Sequence, residues 1–597
     1  MIWLKTIILF LLLMPPYFNL IAQIQYFKDI NGIRLYPQSH QLYPRDVNNK
    51  AAVIIKGVAS NITSNVNNIE LLMIKRFLDG STQNYSYTQI TNDSFSFAPI
   101  LEAGMYLYDF QILLKKNKTL LYRDTIAQDV VCGDAYIIAG QSNAMGVGTA
   151  RAGIIQDSLY QAYSKNLNAI YSKSLGNMPN YNGTNGFLTN YDANNNYWFP
   201  ANASDSNLIG FVGFWGLKLQ YLIQDQYQMP TCFINGAYGG TNIAEHQLYA
   251  SPTSNPRDLR TLFGALTYRI EQANLKNNIK GIIWYQGESQ NTYERAYTYA
   301  DSLNYLIDDW EQHWGSVEKI YIVQIHTGCN YHGFGQIVRE QQRTIDQLTP
   351  KTNLIPLTAN GIGERRLAAN DPNYQCHFSR DAYNELSERL FQVIGRDFYA
   401  ANTCITSPNI INAYYNYDKL VLEFDQDLAD CPNGLEHSFA FYKDNILLPN
   451  FEPISMYSKG HKIYMTISNN SPNAVSYLLK DDPIYNNEMI WLTNPEGYAA
   501  FSFHQFPIHI DDCSSKSISI TSNLIGKENL LEIELKSCNL NKVIKIYSVQ
   551  GQLLYQKNIP FINIRQSIDL SHFAAGVYFL IVENNHQIIT TRKLVKY

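Results

Sequence analysis

Four short clusters hold residue types that together can attack and release an acyl group. The first is Gly140-Gln141-Ser142-Asn143-Ala144-Met145-Gly146, directly after the apolar run Ala135–Ala139. A serine on a glycine-bounded turn at a strand end can present its hydroxyl to a carbonyl carbon and its amide to the developing oxyanion. It is not a GxSxG elbow, because residue 144 is Ala. Taken alone, Ser142 would more often cap a helix than act as a nucleophile. The second cluster is Gly239-Gly240-Thr241, after Thr231–Asn235, where paired glycines let backbone amides approach a ligand closely. An ordinary turn is an equal reading of that pair. The third is Trp284-Tyr285-Gln286-Gly287-Glu288-Ser289, in which Gln286 can donate an amide hydrogen to an oxyanion and Glu288 can orient an imidazole. A polar loop tip would look the same. The fourth is His377, in Cys376-His377-Phe378-Ser379. Imidazole titrates near neutral pH and is the usual base for a serine nucleophile. Among the 12 histidines, His246 and His326 also stand near strand ends and are rivals, and a lone His is more often structural.

These clusters need a scaffold that brings strand ends together, and the periodicity between residues 135 and 400 supplies one. Apolar strands at Ala135–Ala139, Thr231–Asn235, Gly281–Tyr285, Ile320–Ile325 and Leu354–Leu357 alternate with helical patterns. One helix face is Tyr299, Leu303, Leu306, Ile307, Trp310 and Trp314, and another is Tyr383, Leu386, Leu390 and Ile394. Alternation of this kind predicts βα units with a mainly parallel sheet, whose ligands bind beyond the carboxyl ends of the strands. Before residue 130 and after residue 400 the pattern has period two with polar loops, which predicts β-sandwich domains.

The chain has 597 residues, enough for several domains. Charged residues are only 16%, with a net charge of −5, so the polar surface falls to residues such as the 44 tyrosines and a nucleic-acid partner has no support. The N-terminal Met1–Lys5 followed by Thr6–Met14 and Pro15-Pro16 is a short positive segment and an apolar run too short to span a bilayer. It predicts a secretory signal over residues 1–23, cleaved near Ala22 or Gln23, and no membrane span in the mature chain. None of the eight cysteines forms a CxxC pair, so a zinc ribbon has no support, and mostly buried free thiols with one or two bridges are expected.

The four clusters match, in order, the sialate O-acetylesterase-like family of SGNH hydrolases, a relative of carbohydrate esterase family 6. The resemblance covers about residues 24–512 and is strongest over 131–395. It rests on AGQSNAMG, the Gly-Gly-Thr, WYQGES and the late CHF. It implies a three-layer α/β/α hydrolase domain with a parallel sheet, flanked by β-sandwich domains, with no metal or organic cofactor. It also implies Ser142 as nucleophile, His377 as base, and oxyanion donors at the Ser142 amide, at Gly239 or Gly240, and on the Gln286 side chain. Family members commonly place an Asp three residues before the histidine. Here that position is Tyr374, and the nearest upstream acid is Asp371. Asp371 reaching the imidazole through a bulge, Glu288 in its place, and a Ser-His dyad held by a carbonyl all remain open, with Asp371 slightly favoured. Asn143, beside the nucleophile, and Trp198, in the aromatic stretch Tyr191–Pro200, are candidates for sugar contact. Equally, that stretch can be a loop packed by its own aromatics.

A second resemblance lies at the C-terminus. Ile544–Tyr547, Gly551, Ile568–Ser571, Ala574–Phe579 and Lys593–Lys596 look like the type A sorting domain of the type IX secretion system. The expected plan is a signal at 1–23, an N-terminal β-sandwich at 24–130, the esterase domain at 131–400, an accessory β-rich domain at 401–512 and a sorting domain at 514–597. The expected product of that plan is a Bacteroidota-type secreted or cell-surface esterase acting on acetylated glycans and handled by outer-membrane secretion machinery. A glycan-binding protein with a weakened site on the same fold is the alternative.

Overall fold

The computed structural model describes residues 23–596 apart from 31, 61–65, 91–92, 147–166, 179, 182–188, 205–207, 251–253, 327–332, 350, 363–376, 379, 417–418, 468–471, 479–489, 510–517, 521–523, 526–529, 536–541, 560–563 and 585–586. The expected signal lies outside these residues. The chain forms two compact units, Met1–Trp284 with Asn304–Ile320, and Tyr285–Leu303 with Tyr321–Tyr597.

The first unit opens with a β-domain whose strands alternate as their sequences do. Ile69, Leu71 and Met73 of strand Asn68–Arg76 point into a core shared with Phe110, Ile112 and Leu114 of β1 (Leu107–Lys116). Strand β2 (Thr119–Gly140) is 22 residues long. Its first part pairs antiparallel with β1 through Val130. Its second part enters a different sheet and becomes fully buried. Leu42–Pro44 runs parallel to Val131–Gly133, and Arg45 holds Asp134 through two hydrogen bonds of 2.8 Å.

Beyond β2 come α1 (Ser142–Met145), β3 (Ser172–Leu175), β4 (Trp198–Pro200), α2 (Gly213–Tyr227), β5 (Thr231–Asn235), α3 (Leu262–Gln272) and β6 (Ile279–Tyr285). The sheet order in this unit is β4-β3-β5-β2-β6. Strands β3 and β2 are parallel to β5, whereas β4 is antiparallel to β3, so the sheet is mixed. The central strands are buried throughout because apolar Ala135–Ala139 and Cys232–Ile234 are covered on both faces.

The second unit contains α4 (Tyr293–Tyr297), α6 (Gly335–Arg343), β8 (Leu354–Thr358) and α7 (Arg380–Phe398). Helix α5 (Tyr299–Trp314) and strand β7 (Val317–Gln324) are divided between the units. An accessory domain packs two four-stranded sheets about Leu420, Leu422, Phe441, Ile463 and Val475. One of those sheets includes β9 (Ala474–Tyr477) and β10 (Phe503–Pro507). Gln324 ties this domain to the helical part, since its Nε2 donates to the Arg339 and Ser502 carbonyls at 2.9 Å. The C-terminal strands form two more sheets about Ile544, Ile546, Leu580 and Leu594. The chain is thus mixed α/β with several sandwich-like β-sheets. Among the described residues no helix is long and apolar enough to cross a membrane, and Cys132, Cys232, Cys404 and Cys431 are free thiols.

Candidate active site

Ser142 is the first residue of α1, two residues past the buried end of β2. Gln141 takes the N-cap position in an extended conformation and makes no side-chain cap. The serine is therefore not spent on capping, which was its bland alternative. The four-residue helix closes at Gly146, whose φ of 71° favours glycine. A Cβ there would come 2.9 Å from Trp215 Cδ1. The same indole clamps the turn, because Trp215 Nε1 donates to the Asn143 and Ala144 carbonyls at 3.1 Å. Asn235, the polar last residue of β5, donates from Nδ2 to the Met145 carbonyl at 3.2 Å.

The chain leaving β5 stays beside β2. Gly236 N donates to Ile138 O at 2.8 Å and Tyr238 N to Gly140 O at 2.9 Å. That path brings Gly239 against the serine, so a Cβ built on Gly239 would sit 3.7 Å from Ser142 Cβ. Gly240 follows with φ 76° and open space around it. Thr241 Oγ1 donates to Tyr238 O at 2.7 Å and lies 2.8 Å from His246 Nε2, so the histidine nitrogen is the donor of that pair. Burial lowers the His246 pKa to about 3, and its ring stands edge-on to Trp284. His246 is a neutral structural residue that braces the glycine loop. Asn143 is buried.

Trp198 corrects an expectation. It is 3% exposed and pairs with Leu175 as part of β4, so it belongs to the sheet edge and offers no platform for a sugar. Tyr197, its neighbour in the alternation, is the exposed ring, and the Arg34 guanidinium lies 5.5 Å from that ring's centre.

In the second unit, Gln286, Glu288 and Gln290 are buried just beyond β6. The Gln286 carbonyl accepts from Tyr299 Oη at 2.8 Å and from Gln342 Nε2 at 2.7 Å. Gln342 Oε1 in turn accepts from Ile325 N at 2.9 Å. Gly287 has φ 147°, and a Cβ on it would come 2.9 Å from Gln342 Nε2 and from Val338 Cγ1. This close approach is why the loop carries glycine between Gln286 and Glu288.

His377 is half-buried just before α7, and burial holds its pKa below the ordinary histidine value. The next residue, Phe378, is buried among His326 (4.7 Å between ring centres), Tyr383 (5.6 Å) and Tyr285 (6.3 Å). The Tyr383 hydroxyl is pushed well up by burial and further by the charge of Glu288. Asp371 and Tyr374 lie outside the described residues. The first unit therefore gathers Ser142, Asn143, Gly239 and Gly240. The second holds Gln286, Glu288 and His377. Among the described residues, no group of three or more His, Cys, Asp or Glu could hold a metal ion.

Sequence reasoning did not single out Trp215, Gln342 or the supporting role of Asn235. Of these, only Asn235 carried a signal, as a polar residue closing an apolar strand at its binding edge.

Residues 132–395 match the family described as carbohydrate esterase, sialic acid-specific acetylesterase, and residues 527–597 match the secretion system C-terminal sorting domain. Among solved structures, a carbohydrate acetylesterase from Xanthomonas citri is 18% identical, covering 79% of this chain and 98% of that one, with a TM-score of 0.52. That likeness is one of fold. A protein from Arabidopsis thaliana is 20% identical, covering 45% of this chain and 99% of its own, with a TM-score of 0.33. No curated protein sequence matches the chain. The serine turn, the Gly-Gly-Thr loop, the Gln-Gly-Glu loop and His377 all fall inside the first matched segment, so residues 132–395 form a segment similar to the sialic acid-specific acetylesterase family of carbohydrate esterases, joined to a secretion system sorting domain at residues 527–597.

Proposed function

We propose that the protein is an exported carbohydrate O-acetylesterase on a three-layer α/β/α SGNH-type domain, working through an acetyl-serine intermediate. The observation that carries this reading is the Ser142 turn, a serine inside the first helical turn rather than at its N-cap, just past a buried strand and with the Gly239 backbone against it. His377 accepts the Ser142 proton as Oγ attacks the acetyl carbonyl. The Ser142 amide, the Gly239 or Gly240 amide and the Gln286 side chain receive the oxyanion. His377 then gives the proton to the leaving sugar oxygen, and water, activated by the same imidazole, releases acetate. Burial supports this role for His377, because it keeps the imidazole neutral and able to accept a proton. Glu288 is the better supported orienting acid, since its charge acts on Tyr383, which packs against the residue after His377. The sorting domain and the N-terminal apolar run support export through a signal peptide and type IX secretion in a Bacteroidota-type cell.

Acetate release across a panel of acetylated sialic acid, xylan and pectin tests the reading and assigns the sugar. Ser142→Ala is expected to lower turnover by about 10⁴-fold or more. Unchanged turnover in that variant would sink the assignment. A fluorophosphonate that fails to label Ser142 in the wild-type chain would favour the glycan-binding alternative.

A further inference from the structure

The second unit holds an open cleft of about 420 Å³, lined by both tyrosines of α4, the approach to α6 and one face of the accessory domain. Three observations say what it takes. The first is its rings. Tyr293 and Tyr297 are 60% and 51% exposed, four residues apart on one helix face, with ring centres 4.2 Å apart. Phe334 stands edge-on to Tyr293 and fixes that ring from the side. Exposed aromatic faces held in place mark a binding surface, and tyrosine joins an apolar face to a polar tip.

The second is a backbone irregularity on the opposite wall. In β10, Phe506 pairs with Val475 but Phe503 pairs with Tyr477, so His504 and Gln505 together face Ser476. Gln505 takes a left-handed φ of 48°, and its N–H donates to Ser476 Oγ at 2.8 Å, while His504 Nδ1 lies 3.2 Å from the same oxygen. A bulge of this kind re-aims side chains, and left-handed backbone at a non-glycine residue in a strand is strained. Here it sets His504 and Gln505 on the cleft wall.

The third is charge. Among the described residues, no Lys, Arg, Asp or Glu lines the cleft. Phosphates, nucleic acids and acidic or basic peptides need fixed charge for recognition. A cleft within the roughly 300–1,000 Å³ range of small-ligand sites, mostly aromatic and apolar but carrying Gln336, His504 and Gln505, fits a ring with apolar faces and a hydroxylated edge.

We propose that this cleft is a glycan subsite for a neutral pyranose unit, stacked on Tyr293 and Tyr297 and hydrogen-bonded through its hydroxyls by His504 and Gln505. The proposal rests on the esterase reading only in assigning the bound unit to the substrate. It makes that substrate an oligomeric neutral glycan whose backbone is gripped apart from its acetyl group.

The test is calorimetric binding of xylohexaose, cellohexaose and mannohexaose to full-length Ser142→Ala protein, with hexagalacturonate as the charged comparison. At least one neutral hexamer is expected to bind. Tyr293→Ala and Tyr297→Ala should each weaken binding by about fivefold or more, the loss of one stacked ring. Tyr293→Phe, which keeps the ring, should bind as its parent does, and Gln505→Gly, which relieves the backbone while removing the amide, should weaken binding with folding intact. Absence of binding to all three neutral hexamers, binding indifferent to the substitutions, or tighter binding of hexagalacturonate would each overturn the proposal. Acetate release by the wild-type chain reads the esterase assignment separately. Ring-dependent binding without turnover leaves the cleft standing and sinks the esterase, while turnover with ring-independent binding does the reverse.

Discussion

The serine turn and the Gln-Gly-Glu loop hold their groups by opposite means. Around Ser142 the fixing is done by main chain, as strand pairing carries Gly239 to the serine, and the Trp215 and Asn235 side chains bind only backbone groups. Around Gln286 the fixing is done by side chains, as Tyr299 and Gln342 converge on one carbonyl and Gly287 yields the room they need. A nucleophile must sit at one point relative to its own amide, and backbone geometry gives that directly. A long side chain has rotamers to lose, and that of Gln286 is held through its neighbour, since its Nε2 donates to Gln290 Oε1 at 3.4 Å while the other two contacts hold its main chain.

The contrast can be broken at Gln286 first, which the proposed mechanism makes an oxyanion donor. Gln286→Ala is expected to lower kcat by about 10²–10³-fold, the usual cost of one oxyanion donor, with folding retained. Wild-type kcat would mean that backbone amides alone hold the oxyanion. Gln342→Leu removes the support without touching the donor. It leaves the Gln286 carbonyl one partner short and Ile325 N without its acceptor, so a loss of about 1–3 kcal/mol in unfolding free energy is expected by denaturant titration. A fall in kcat should accompany it. Equal stability would show that the network is ornamental to the loop.

The pH profile comes next. Burial disfavours the imidazolium of His377, so the neutral base should persist below the ordinary histidine pKa of about 6.5. The acid limb of kcat/KM is expected to fall below that value, and a limb above it would mean that a carboxylate outweighs burial. The smallest effect belongs to the main-chain side. The Cβ of Gly239→Ala would meet Ser142 at ordinary contact distance, so turnover should change by less than about threefold if only the amide matters.

Much of this was legible in the sequence, and the failures have physical causes. Cluster order and strand–helix alternation pointed to the α/β region because a buried parallel strand leaves an unbroken apolar run. Trp198 was misread because composition shows an aromatic cluster, whereas the fold uses its period of two, with Tyr197 outward and Trp198 inward. The Gln342 contact was invisible because 56 residues separate it from Gln286. The change of pattern near residue 130 marks a change in what covers β2, not an end to the strand. One face of it is solvated up to that point, and both are covered after it.

The continuity of β2 bears on how such a protein can be inherited and taken apart. A cut at residue 131 would sever the strand that leads to the Ser142 turn from the pairing that anchors its other half. It would also leave Asp134, buried, without the Arg45 fork. The N-terminal β-domain is therefore not a detachable accessory. Recombination that shuffled the esterase without it would deliver a serine on a loose end, so the two modules should travel through fusions and truncations as one piece.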